Sequence, residues 1–200
     1  MVAALTAMGD TYDEDKRLIR GRIRARRTAL SPGEVARLSA AACARLLVSP
    51  LFARARHVAA YAAIDNELDP ALLVEAALAA GRRVYLPVVS RERFDFVGLS
   101  PPQPGRGESG SSGPRGGPCL PPEAEDVVFL VPGVAFTPCG VRLGRGVGWY
   151  DRALGRHPRG IRIGLAYGFQ VVPRLPEAPW DVRMHAVVTE SRSISAALAQ

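Results

Sequence analysis

The chain has 200 residues, 48% of them hydrophobic, and carries 26 Lys+Arg against 19 Asp+Glu for a formal charge of +7. That is one domain's worth of chain with enough apolar material for a core, which excludes a mostly disordered protein. No apolar run reaches the ~18–20 residues of a membrane span, and Asp13-Glu14-Asp15 follows the apolar start where a cleaved signal has the opposite charge order.

The three cysteines (Cys43, Cys119, Cys139) include no close pair, and the three histidines (His57, His157, His185) are scattered. This spacing argues against a disulfide scaffold or a zinc site and for reduced thiols in the cytoplasm. A single domain over 1–200 is expected, with 1–12 flexible. Its first helix runs from Asp15 to about Ala29, with an acidic start that suits a helix N-terminus. Lys16 is the only lysine; the other basic residues are arginine, which reads as compositional bias. Ser31-Pro32-Gly33-Glu34 is a capping box that opens a second helix through about Val48. A buried strand is expected over 57–63, a helix from Leu68-Asp69-Pro70 closed by Gly81, and strands over 83–88 and 94–99. In 101–118, 11 of 18 residues are Gly or Pro, the composition of a long loop. Further strands are expected over 126–131, 161–167 and 185–189, with a short helix from about Gly148. Strands alternating with helices predict an α/β protein with a mainly parallel sheet.

The sharpest local feature is Gly140-Val141-Arg142-Leu143-Gly144-Arg145-Gly146-Val147-Gly148-Trp149-Tyr150-Asp151-Arg152. Glycines spaced by four, two and two residues free several backbone N–H groups to point into one concavity, and Arg142 and Arg145 add fixed charge. That combination suits phosphate oxygens. It has neither the Gly-Lys-[Ser/Thr] ending of a Walker A loop nor the spacing of a dinucleotide fingerprint. On spacing alone, a phosphate loop and a simple tight turn stay equally open.

Together with Val131-Pro132-Gly133-Val134-Ala135-Phe136 upstream, this block resembles the signature of the 5-formyltetrahydrofolate cyclo-ligase (5,10-methenyltetrahydrofolate synthetase) family. Lys16…Arg20, Tyr61…Glu67, Leu86-Pro87 and Trp180-Asp181…Glu190 fall in the same order. The resemblance implies a mainly parallel sheet flanked by helices, in the three-layer arrangement of NagB/RpiA/CoA transferase-like proteins. It implies an ATP- and magnesium-dependent closure of 5-formyltetrahydrofolate to 5,10-methenyltetrahydrofolate by way of a phosphorylated formyl intermediate. The partners expected are therefore ATP and the folate, with neither a membrane nor nucleic acid, for a chain acting as a monomer.

Residue by residue, the resemblance makes Lys16, Arg20, Arg142, Leu143, Gly144, Arg145, Gly146, Val147, Gly148, Trp149 and Tyr150 the ATP-binding set. Glu67, Arg145 and Trp149 would meet the folate, Asp151 and Asp181 would hold magnesium, and Arg145 and Tyr150 would be catalytic. From the residues alone, Lys16 and Arg20 at i and i+4 could be a solvated basic face, and Glu67 an acidic helix start beside Asp65 and Asp69. Tyr61 is expected in the core. Departures from the family pattern are Val147 in place of a common lysine, Trp149 before the Tyr-Asp pair, Trp180 in place of a histidine and His185 in place of an aspartate. They leave open a diverged, non-catalytic relative that binds nucleotide or nucleic acid through its basic run of 16–27, which has seven basic and no acidic residues. A sugar-phosphate isomerase-like activity on the same fold ranks last, because no isomerase motif is present.

Overall fold

The computed structural model describes residues 2–89, 93–99 and 117–196, with side chains from residue 14 onward. Helix α1 spans Val2–Thr28 and α2 spans Pro32–Leu47. The first helix starts well before Asp15, a correction to the sequence reading. Its early turns are Ala- and Leu-containing and free of proline, so propensity carries it through the acidic run. Helix α2 begins where the capping box predicts: the Ser31 hydroxyl accepts from Glu34 N–H at 3.3 Å, and the Glu34 carboxylate accepts from Ser31 N–H at 2.9 Å.

A short helix α3 (Pro50–Ala53) leads to β1 (His57–Ala59), then α4 (Ala71–Ala79), β2 (Arg83–Val89) and β3 (Phe94–Gly98). After β4 (Val127–Val131) come the two-residue strands β5 (Ala135–Phe136) and β6 (Arg142–Leu143), helix α5 (Trp149–Gly155) and β7 (Ile161–Leu165). A 3-10 turn over Gly168–Gln170 precedes β8 (Ala186–Val188) and β9 (Ser193–Ser195). The elements the sequence did not announce (α3, β5, β6, β9 and the 3-10 turn) are two to four residues long, too short for periodicity to register. The strand expected over 57–63 stops at Ala59, where the chain leaves the sheet. Of the Gly/Pro-rich stretch, 101–116 lies outside the described residues. Beyond it, Pro118 accepts from Gly98 N–H at 2.9 Å, so the chain returns alongside β3.

The main sheet has the order β3-β2-β1-β4-β7-β8-β9. The five central strands are parallel and both outer pairings, β2–β3 and β8–β9, are antiparallel. Strand β4 is buried along its whole length. Val128 and Leu130 face Ala42, Cys43 and Leu46 of α2 and Leu73 and Ala77 of α4, while Phe129 and Val131 face Phe136, Ala153 and Leu154 on the other side. Burial on both faces is why this strand reads as a continuous apolar run.

Between β1 and β4 the winding reverses. From β1 the chain crosses through α4 to β2 on one side, whereas from β4 it proceeds to β7 on the other. Such a switch opens a crevice at the carboxyl ends of the two strands, the usual ligand position in an open α/β sheet.

The packing predicts a reactivity pattern. Cys43 is buried on the inner face of α2, and its thiol is pushed up to about 11, chiefly by burial, while Cys119 and Cys139 are exposed. At pH 8 a thiol reagent should titrate two cysteines in the native protein and all three in denaturant. Three fast-reacting thiols in the native state contradict this core.

Candidate active site

A cavity of about 440 Å³ occupies the crevice, within the range usual for small-ligand sites. Its walls come from α1 (Lys16, Arg20), the segment after β1 (Tyr61, Ile64, Glu67), the end of β2 (Pro87, Val89), Pro132-Gly133 after β4, the stretch 142–151, and the loop carrying Trp180 and Asp181. Every residue that the family resemblance singled out therefore faces one space. They come from four separate stretches of chain.

Helix α1 reaches the cavity because its apolar residues seat it on the β5–β6 hairpin: Ile19 and Ile23 pack with Val134, Ala135 and Leu143. Residues 16, 20, 23 and 27 then form one stripe at helical spacing. Arg20 Nε donates to the Gly144 carbonyl at 3.0 Å, which ties the helix to the glycine loop. A Cβ added at Gly146 would lie 3.6 Å from an Arg20 guanidinium nitrogen, so Arg20 runs directly beside the loop where Val147 supplies no charge. The seven basic residues of 16–27 do not form one patch. Lys16 and Arg20 face the cavity, Arg27 is buried, and Arg26 stacks 4.5 Å above Phe169.

The loop between β6 and α5 is shaped by what lies beneath it. A Cβ at Gly144 would come within 2.7 Å of an Arg142 guanidinium nitrogen, so a side chain there would push the guanidinium from its present place. Gly148, with φ +69°, caps α5 in the left-handed region. Arg142 is buried and its Nη2 donates to Asp151 Oδ2 at 2.8 Å. Leu143 is a core residue whose backbone accepts from Val134 N–H, also at 2.8 Å. Arg145 reaches across the cavity mouth to Asp65 (2.9 Å) and Glu67 (3.0 Å). Burial pushes the Tyr150 phenol well up, so it stays protonated and can act as a donor but not as a base. Trp149 is stacked on Phe94, with ring centroids 6.3 Å apart, and the Arg152 guanidinium lies 4.7 Å from its ring.

Glu67 is not a helix-start residue. It is buried in the turn before α4, behind Asp65 and Asn66, whose φ values are +51° and +54°. Tyr61 is buried, as expected, with its hydroxyl donating to the Leu68 carbonyl, and it also forms part of the cavity wall. The two aspartates are both engaged: Asp151 Oδ1 accepts from Val182 N–H at 3.3 Å, and Asp181 Oδ2 from Ala178 N–H at 2.8 Å. Among the described residues no group of three or more His, Cys, Asp and Glu could hold a metal by itself.

Sequence reasoning missed Arg27 and Asp65, which grip Glu67 and Arg145. It also missed the apolar wall of Val89 and Phe94. Arg27 had a signal, its helical spacing from Lys16 and Arg20; the residues from β2 and β3 had none, because their place depends on the sheet order. Exposed Ile64, Val89, Val147 and Trp180 give the cavity an apolar rim.

The Arg142–Asp151 pair predicts a stability pattern. Asp151→Asn leaves a buried guanidinium without its counter-charge and should cost about 3 kcal/mol in chemical denaturation. Arg142→Met combined with Asp151→Leu should recover much of that loss. A double variant no better than the single one would show that the pair is not coupled as described.

The sequence profile of the 5-formyltetrahydrofolate cyclo-ligase family matches residues 12–190. The chain is 35% identical over 178 residues to the 5-formyltetrahydrofolate cyclo-ligase of Escherichia coli K12, spanning 85% of this chain and 97% of that protein. It is 34% identical over 174 residues to that of Mycolicibacterium smegmatis, spanning 82% and 88%. The solution structure of Aquifex aeolicus 5,10-methenyltetrahydrofolate synthetase superposes with a TM-score of 0.77 at 34% identity, covering 92% of this chain and 94% of that one. The chain belongs to the 5-formyltetrahydrofolate cyclo-ligase family.

Proposed function

We propose that this chain converts 5-formyltetrahydrofolate and ATP into 5,10-methenyltetrahydrofolate, ADP and phosphate, with magnesium, in the cavity at the β1–β4 switch. The observation that carries the reading is the convergence of Lys16, Arg20, Glu67, Arg145, Tyr150, Asp151 and Asp181 on one cavity. The formyl oxygen attacks the γ-phosphorus as the bond to the ADP oxygen breaks. N10 then attacks the activated formyl carbon, the carbon–oxygen bond to phosphate breaks, and the N10 proton leaves, closing the ring.

Such a reaction needs charge neutralisation and alignment more than a covalent nucleophile. Lys16 and Arg20 are suited to the phosphates, with Arg145 at the transferred group and the protonated Tyr150 hydroxyl as a donor. The glycine loop 144–148 supplies backbone N–H groups without side-chain bulk. Glu67 is suited to accept from the N–H edge of the pterin, and Trp149 offers an aromatic face. Arg142 and Leu143 serve by shaping the loop from below, since one is paired to Asp151 and the other is packed in the core.

The donor chemistry fits magnesium, which takes hard oxygen ligands and usually only one or two carboxylates beside phosphate oxygens and water. Asp151 and Asp181 would hold it, and when bound it would offset charge on the β- and γ-phosphates. The reading takes a single chain in the cytoplasm as the working form. Lys16, Arg20, Glu67, Arg145, Tyr150, Asp151 and Asp181 come together within one chain.

Folded protein with 5-formyltetrahydrofolate and Mg-ATP should produce the near-ultraviolet absorbance of the methenyl product together with ADP. No product at high enzyme concentration overturns the proposal. Lys16→Met should lower kcat/KM for ATP by roughly 10–100-fold, the size of a lost charge-assisted contact. Its neighbour Arg17, 77% exposed and paired with Glu14, should tolerate the same change with no effect. Equal losses at the two positions would place the nucleotide elsewhere.

A further inference from the structure

Arg145 is asked to do two things. In the structure it neutralises Glu67 and Asp65 across the cavity mouth. In the reaction proposed above, on which this inference rests, it must turn to the transferred phosphoryl group. A guanidinium that swings to phosphate would leave Glu67 a buried carboxylate, since its side chain is only 8% exposed. An unpaired buried charge is strongly unfavourable.

The residue that resolves the conflict lies beneath. Arg27 is 1% exposed and is among the largest fully buried side chains among the described residues. Its Nε donates to the Asp65 carbonyl at 2.7 Å, and its own carbonyl accepts from Asn66 Nδ2 at 3.1 Å. The two left-handed residues before Glu67 are thus bolted to the end of α1. Its Nη1 lies 3.6 Å from Glu67 Oε1, outside hydrogen-bond range, and has no hydrogen-bond partner. Arg145 Nη2 takes that same oxygen at 3.0 Å. A buried donor stands beside an acceptor that another arginine occupies.

We infer that Arg27 is a positioning residue for the folate site: it fixes the Glu67 turn and becomes Glu67's hydrogen-bonded counter-ion when Arg145 moves to the nucleotide. Closing the short gap from Nη1 to Oε1 satisfies the orphaned donor and keeps the carboxylate paired and aimed at the pterin. Burial is the main influence weakening the Arg27 charge and nearby Arg145 adds to it, while Glu67 opposes both; departure of Arg145 therefore strengthens the new pair. The Ile64 N–H donates to Glu67 Oε2 at 3.4 Å, and Tyr61 and Tyr150, which feel the Glu67 charge, are phenols pushed upward by burial; these are neutral groups and do not replace an arginine.

The test is calorimetric binding of 5-formyltetrahydrofolate with and without a non-hydrolysable ATP analogue. Arg27→Met should weaken folate binding about 3-fold alone and at least 10-fold with the analogue bound, while leaving analogue affinity within 2-fold. Arg27→Gln, which keeps a polar group near Asp65 without the charge, should show the same nucleotide-dependent loss if the Met variant unfolds. Arg27→Lys should restore most of it. Equal losses with and without the analogue, or no loss, overturn the inference in favour of a purely structural arginine. A wild-type chain that binds folate but makes no product overturns the catalytic proposal alone, leaving the Arg27 comparison intact; one that binds no folate overturns both.

Discussion

The cavity exists because two neighbouring parallel strands release their chains in opposite directions. Strand β1 sends its chain through the Glu67 turn toward α4, and β4 sends its chain through Pro132-Gly133 into the β5–β6 hairpin. With no connection crossing the gap, the carboxyl ends of both strands stand open, and the backbone that leaves them becomes the wall of the site. Everything chemical is hung on these two departures. Glu67 rides on one and the glycine loop on the other, and the apolar seat of α1 on the hairpin brings Lys16 and Arg20 over both.

Charge in the cavity is arranged as linked pairs. Arg142 is held by Asp151, Arg145 by Asp65 and Glu67, and Arg27 lies against Glu67. Pairing lets a strongly basic segment be buried at bearable cost. It also separates a structural arginine, sealed under the loop, from one at the cavity mouth that is partly exposed and able to exchange partners. The bulk charge of +7 thus says little about partners: the seven basic residues of the first helix divide among a cavity wall, a buried support and the surface.

The family assignment and the geometry bear on the departures from the family pattern in different ways. Val147 stands where a point charge is common in the loop, and the Arg20 guanidinium runs beside the neighbouring Gly146. Trp180 and Val147 instead enlarge the apolar rim together with Ile64 and Val89. His185 is a structural residue just before β8, accepting from Arg162 N–H at 3.0 Å; burial lowers its pKa to about 4 and keeps it neutral. None of these changes touches the linked charges that organise the site.

The local pieces were legible in the chain itself. Ser31-Pro32-Gly33-Glu34 encodes a cap through its own side chains, the apolar run 127–131 encodes a strand buried on both faces, and the glycine spacing of 140–148 encodes an open loop. Each depends on neighbours within a few residues, and the family signature named the main site residues because it is a linear pattern. What only the tertiary structure decided is which charges meet. Apart from the family pattern, Glu67 could equally have been a helix-start acid, and Arg27 read as one more arginine in a biased composition. Their partners stand 40 and 78 residues away in Glu67's case, and pairing across such distances is set by sheet order and by the seating of α1, which no local propensity contains. The same holds for the wall built from Val89 and Phe94, which becomes part of the site only because β2 lies next to β1.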